Sequence, residues 1–149
     1  MATTENTQAI RQEAVTLLSR REYSARELQQ KLTVSHPAET VGEVIESLQS
    51  QGLQSDQRFA QVWVRHRLLQ GCGPLRVQAE LRQKGIASDL IQQCLADDSI
   101  DWFEQARQAF QRKFGSRGKD AREKARQMRF LQYRGFTGDQ IRHALQGDS

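Results

Sequence analysis

The chain has 149 residues, with 22 Lys or Arg against 18 Asp or Glu, so its formal charge is +4. Hydrophobic residues make up 37% of it, which is too few for one deep spherical core and favours several small, shallow ones. No apolar run approaches the roughly 20 residues of a membrane-spanning helix. The polar N-terminus also lacks the apolar stretch of a signal peptide. We therefore expect a soluble, cytoplasmic protein with no membrane association.

Cysteine usage and residue preferences narrow the fold class. Cys72 and Cys94 are the only cysteines, and neither belongs to a CxxC motif or has a histidine at zinc-finger spacing. The sequence therefore predicts neither a disulfide framework nor a metal site. Good helix formers dominate, and β-branched and aromatic residues never alternate long enough for a strand. We predict an all-α fold.

Three segments of the chain resemble one another, and each has the composition of the last turn of a helix. They begin at Leu28, Leu81 and Leu131, and each leucine is followed by two further residues and a cation. In the second and third segments Gly85 and Gly135 follow, and glycine is the usual residue just beyond a helix because it enters the left-handed region without cost. The pattern predicts three tandem three-helix repeats that form an elongated, curved rod.

The expected boundaries follow in chain order. Residues 1–8 are predicted to be a disordered tail, and the repeats to span residues 9–53, 54–98 and 99–149. The predicted helices cover residues 9–20, 25–32, 38–51, 56–70, 74–84, 88–96, 101–114, 120–134 and 137–146. Side-chain N-caps are predicted at Ser24, Ser55, Ser88 and Thr137. Pro74 opens its helix at the first position, where its missing N–H costs nothing.

Charge is unevenly distributed between the repeats. Residues 1–54 hold 5 cations and 7 acids, residues 55–98 hold 6 and 5, and residues 99–149 hold 11 and 6. A solvated helix face would explain part of this excess. Arg outnumbers Lys 17 to 5, however, and the planar guanidinium favours phosphate or carboxylate recognition. We therefore predict a polyanionic partner, such as nucleic acid or a nucleoprotein.

The residues predicted to form the partner- or DNA-binding surface are Arg65, Arg76, Arg82, Lys84, Lys124, Arg126 and Arg129. The spacing of Arg76 and Lys84 places them near one face of a helix, with Arg82 expected beside them. The Gly71–Pro74 turn is interpreted as hairpin punctuation, although backbone N–H groups at the following helix start would also suit an anion.

Catalytic patterns are weak. His36, His66 and His143 lie in different repeats, and none neighbours a recognisable nucleophile. The predicted apolar stripe of the fourth helix comprises Phe59, Val62, Trp63, His66 and Leu69. On this basis His66 and Trp63 are interpreted as packed side chains. No strand precedes a glycine-rich phosphate loop. The sequence therefore predicts a non-enzymatic protein without a cofactor.

Taken together, the repeated blocks resemble the RecX family of bacterial recombination regulators. The residues that carry this resemblance are Leu17–Ser24 with Glu27-Leu28, the central Gly71-Cys72-Gly73-Pro74 with Lys84-Gly85-Ile86, and Arg129–Phe136. The match spans about residues 10–146. Leu75 stands where the family often has a basic residue, so Arg76 would have to carry any anion contact just after the turn.

The resemblance implies three three-helix repeats and a protein that binds the RecA recombinase and its filament on DNA. It implies inhibition of the strand-exchange, ATPase and coprotease activities of RecA, in DNA repair, recombination and the SOS response. We expect a monomer that binds single- or double-stranded DNA only weakly by itself. The alternative is a general nucleic-acid-binding helical protein that acts on DNA directly.

Overall fold

The structure, a computed structural model, describes residues 4–146 and contains nine helices and no strand within them. The helices are α1 (Thr4–Arg20), α2 (Ala25–Leu32), α3 (Ala38–Ser50), α4 (Asp56–Leu69), α5 (Pro74–Gln83), α6 (Ser88–Leu95), α7 (Trp102–Phe114), α8 (Ala121–Arg134) and α9 (Gly138–Gln146). The predicted all-α class is confirmed. Eight of the nine helices begin and end within one residue of their predicted bounds, because capping residues and glycines mark most of these ends.

Two predicted boundaries differ from the structure. The first helix begins at Thr4, so residues 4–8 are helical where a disordered tail was predicted, and residues 1–3 lie outside the described residues. No glycine or proline interrupts residues 4–8, which lets the helix extend. Ser88 does not cap α6, because it is already the first helical residue and Ala87 occupies the N-cap position without a side-chain bond.

The other predicted caps are present. Ser24 and Ser55 each accept a hydrogen bond from the backbone N–H three residues later, both at 3.1 Å. Thr137 accepts one from the Gln140 N–H at 3.2 Å. Gly85 and Gly135 have φ of +81° and +96°, which confirms the left-handed conformation predicted for both. These features explain why helices of about ten residues end where they do.

Each three-helix repeat has its own small core. In the first repeat (α1–α3) the core includes Ile10, Leu28 and Leu48; in the second (α4–α6), Val77 and Leu81. The third repeat (α7–α9) has a core of Ala106, Ala109, Phe110, Leu131, Phe136, Ile141 and Ala144. Three shallow cores accommodate the low hydrophobic content of the chain.

The end of α4 departs from the predicted apolar stripe. Phe59 is buried and Trp63 packs against the second core, but His66 is exposed and Leu69 is 78% exposed. The interpretation of His66 as a packed side chain was therefore wrong. Leu68 packs against the second core in this last turn of α4, so the buried face there lies one residue away from the predicted stripe.

Adjacent repeats meet through the glycine that follows the middle helix. At the first junction, a Cβ on Gly85 would lie 2.8 Å from Nε of Arg26, in the first turn of α2. At the second junction, a Cβ on Gly135 would lie 2.6 Å from the backbone nitrogen of Arg76, in the first turn of α5. The later repeat thus packs its glycine on the start of the preceding middle helix in both places.

The second junction is also held by backbone hydrogen bonds. The Gly73 N–H donates to the Arg134 carbonyl at 2.7 Å, and the Leu75 N–H donates to the Gly135 carbonyl at 2.9 Å. A Cβ on Gly73 would lie 2.5 Å from the Gly135 oxygen. The Gly-Pro turn therefore connects α4 and α5 and also forms a contact between two repeats.

Candidate interaction surface

The seven predicted surface residues do not share one face. Arg65 lies on α4, Arg76 and Arg82 on α5, Lys84 just after α5, and the other three on α8. Five of them are exposed, whereas Arg76 and Lys84 are half-buried. The exposed residues are Arg65, Arg82, Lys124, Arg126 and Arg129.

Arg76 and Lys84 already have acidic partners. Lys84 Nζ lies 2.9 Å from Glu27 Oε2 across the first junction. Arg76 Nε lies 3.6 Å from Glu80 Oε2, and the same carboxylate receives Arg67 at 2.7 Å. These two cations therefore belong to the internal ion-pair network of the rod, which spacing along the chain could not show.

Glu27 is the central acid of the first junction. Burial by itself would raise the pKa of this carboxyl, but hydrogen bonds from Lys84, the Ser24 N–H and Arg21 together leave the pKa below its usual value. The Ser24 N–H donates to Oε1 at 3.1 Å and completes the capping box of α2. One carboxylate thus joins a helix start to the neighbouring repeat.

Replacing Glu27 with glutamine should make the free energy of unfolding less dependent on pH. We expect Glu27→Gln to lower the free energy of unfolding at pH 7 by about 1–3 kcal/mol, because charge-assisted hydrogen bonds are lost. Since the folded-state pKa is depressed, the contribution is present above the usual value of 4.5 and lost as pH falls through the folded pKa. The difference between wild type and variant should therefore narrow below pH 4.5 in denaturant titrations. A constant difference between pH 7 and pH 3 would contradict this assignment.

Arg82, Arg65 and Lys124 each lie apart from the others. At roughly 100° per residue, Arg82 projects about 120° away from Arg76 around α5, so it does not lie beside it as predicted. Arg65 lines a groove with Cys94 and Asp97. Lys124 lines a different groove with Arg142, on the α9 side of α8.

The outer face of α8 carries a continuous basic stripe. Arg122, Arg126 and Arg129 follow at helical spacing, all exposed, and Tyr133 continues the series one turn later with 81% of its surface exposed. The Arg76 guanidinium lies 5.8 Å from the centre of the Tyr133 ring. The stripe thus leads from the start of α8 to the second junction.

The acids of the third repeat that lie within residues 99–146 each contact a group nearby in the sequence. Asp101 and Asp120 cap α7 and α8, and Glu123 accepts the Lys119 N–H at 2.8 Å. Glu104 pairs with Arg107, and Asp139 pairs with Arg142. Among residues 4–146, the outer cations of α7 and α8 consequently have no carboxylate within ion-pair distance. These cations are Arg112, Lys113, Arg122, Arg126, Arg129 and Arg134.

The predicted surface left out four of these cations: Arg122, which lies on the same stripe as Arg126, and three that converge elsewhere. Arg112, Lys113 and Arg134 end α7 and α8, and all three line a cavity of about 250 Å³ beside the end of α4. Their place in a basic run was visible in the sequence. Their convergence depends on how α7 and α8 pack against the preceding repeat, and no local pattern reports that.

Two family models match most of the chain. The model of the second three-helix domain of RecX matches residues 55–95, and that of the third three-helix domain matches residues 99–145. Regulatory protein RecX of Halorhodospira halophila is 47% identical over 92% of this chain and 86% of that protein. Regulatory protein RecX of Ectopseudomonas mendocina is 43% identical over 96% and 97%, respectively. The chain belongs to the RecX family.

Solved structures agree on the fold. RecX from Lactobacillus salivarius superimposes with a TM-score of 0.79 at 20% identity and covers 97% of both chains. A second regulatory protein RecX superimposes with a TM-score of 0.78 at 23% identity, over 95% of this chain and 72% of its own. The resemblance drawn from the repeated blocks is confirmed, and the chain is a member of a family of regulatory proteins, not of enzymes. No helix within residues 4–146 is both long and apolar enough to cross a membrane.

Proposed function

We propose that this protein binds the RecA recombinase and its nucleoprotein filament and inhibits its strand-exchange, ATPase and coprotease activities. It acts as a cytoplasmic monomer without a catalytic step, in DNA repair, recombination and the SOS response. Family membership supports the regulatory role. The single structural observation that carries the proposal is the basic outer face of α7 and α8, whose cations have no carboxylate partner among the described residues.

The repeat architecture supports binding to a filament. Three small units in tandem present several modest contact surfaces, and a filament presents many copies of one protomer. Simultaneous contacts with several protomers raise the overall affinity far above that of each contact. The third repeat supplies the electrostatic attraction, because the first repeat is net acidic.

A reconstituted strand-exchange reaction tests the proposal. We expect the purified protein, at a stoichiometry near that of the recombinase or below, to slow strand exchange and filament ATPase turnover, and to co-sediment with the filament. The protein itself should hydrolyse no nucleotide. Unchanged strand exchange and ATPase rates at several-fold molar excess would refute the regulator function.

The basic surface also keeps the alternative of direct nucleic-acid binding open. A general DNA-binding protein would bind naked DNA tightly and lose affinity steeply with added salt. A filament regulator should bind the recombinase filament much more tightly than the same DNA alone. Titrations of both ligands at two salt concentrations distinguish the two functions.

A further inference from the structure

Three cations converge on a notch at the second junction. Arg112 and Lys113 lie at the end of α7, Arg134 ends α8, and Gln70 and Gly71 follow α4. The Arg134 guanidinium donates to the Gln70 carbonyl at 2.8 Å, which fixes its position at the rim. The notch thus has a defined shape that depends on the contact between two repeats.

The charge of this notch is not compensated by acids. None of the eight residues that line it is acidic. At the first junction, by contrast, Glu27 pairs with Lys84. The helix dipole stabilises a cation in the last turn of a helix. This effect explains why each helix ends in basic residues, but it does not explain why the basic side chains of two helices converge. An anionic group fits the notch electrostatically and chemically.

An exposed aromatic ring lies on another side of the last turn of α8. Tyr133 immediately precedes Arg134 and has 81% of its surface exposed, with the Arg76 guanidinium 5.8 Å from the ring centre. Exposed aromatic rings among cations are the usual stacking platforms of proteins that bind single-stranded nucleic acids. The two side chains project about 100° apart around α8, so a strand that crosses this turn would place a phosphate in the notch and the base of a neighbouring nucleotide on the ring.

We propose that the second junction binds single-stranded nucleic acid, with a backbone phosphate held by Arg112, Lys113 and Arg134 and a base stacked on Tyr133. A single strand fits better than a duplex, whose base faces are covered by stacking and cannot pack on the ring. At a nucleoprotein filament, the notch would give the regulator a direct contact with the nucleic acid. This role at the filament rests on the proposed function.

Fluorescence anisotropy with the full chain alone tests the site. The probes are a labelled strand of about 15 thymidines and an abasic strand of the same length, which keeps the phosphates but lacks bases. The variants are Tyr133→Ala and the double variant Arg112→Gln/Lys113→Gln. The matched control is Arg20→Gln/Lys31→Gln, which removes the same two residue types from exposed positions of the first repeat.

The two variants should fail in different ways. We expect Arg112→Gln/Lys113→Gln to weaken binding of both strands about tenfold at low salt, and to reduce the slope of log affinity against log salt by about 1.4. Tyr133→Ala should weaken binding of the thymidine strand about fivefold or more and leave the abasic strand unaffected. The control should change affinity less than about twofold.

Several results would overturn the proposal. Equal losses in the notch variant and the control would show that net charge alone attracts the strand. Equal losses of Tyr133→Ala on both strands would exclude stacking. Tighter binding of a duplex, or of polyglutamate, would identify a different ligand class. Inhibition of strand exchange is measured separately, so a protein that inhibits the recombinase but binds no single strand would refute this site alone.

Discussion

Replacing Gly135 with alanine should destabilise the protein more than the same change at any open helix end. The new Cβ would lie 2.6 Å from the Arg76 nitrogen, which is backbone and cannot move aside. The residue also has φ of +96°, where an L-residue is strained by about 1–2 kcal/mol. Overpacking adds about 1–3 kcal/mol, so a loss of about 3 kcal/mol is expected in total.

Gly52 provides the matched control. It follows α3 with the same hydrogen bonds that close α8 at Gly135: its N–H donates to the Gln49 carbonyl, and the Leu53 N–H donates to the Leu48 carbonyl. Its φ is +73°, but a Cβ there would meet nothing within 4 Å. Gly52→Ala should therefore show only the conformational strain, about 1–2 kcal/mol. Thermal unfolding should give a decrease in Tm of roughly 10 °C for Gly135→Ala and roughly 4 °C for Gly52→Ala. Equal decreases would mean that the second junction does not depend on the close approach of these two backbones.

The fold could be predicted because its signals are local. Ser24 with Glu27 forms a capping box within four residues, and Gly135 ends a helix by its own backbone conformation. Apolar residues at helical spacing identified the core faces of most helices. Leu69 is the exception, because Leu68 and not Leu69 packs against the second core, and periodicity alone does not decide between two neighbouring apolar residues.

The candidate surface could be predicted only in part, because contacts between residues far apart in the sequence determine which cations are paired with carboxylates. Lys84 lies 57 positions from Glu27, and nothing in the sequence marks the two as partners. The basic character of the third repeat was evident from composition. Which cations are neutralised at the first junction, and which remain unpaired at the second, is determined by how the repeats pack against each other.

Charge reversal on α8 should weaken filament binding without affecting the fold. Arg126 and Arg129 are exposed on the outer face and make no ion pair within residues 4–146. We expect Arg126→Glu/Arg129→Glu to lower affinity for the recombinase filament about tenfold or more, with a larger loss at low salt, where the charges are least screened. The melting temperature should stay within about 2 °C of wild type, because surface substitutions of this kind cost little.

Lys84→Glu should give the opposite result. Glu27 is largely buried, and its carboxylate now lies 2.9 Å from the Lys84 ammonium group. A second carboxylate at position 84 would repel Glu27, so the variant should lose stability even where filament binding is unchanged.

The binding control for the α8 variant is Arg11→Glu/Arg20→Glu, which makes the same change of charge on the first repeat. Arg26 is unsuitable for this purpose because it packs beneath Gly85. Co-sedimentation of each variant with recombinase filaments, together with its melting curve, separates the three cases. If the α8 and first-repeat variants lost affinity equally, overall charge and not the outer face of α8 would govern binding. If the α8 variant retained wild-type affinity, the filament contact would lie on another face of the rod.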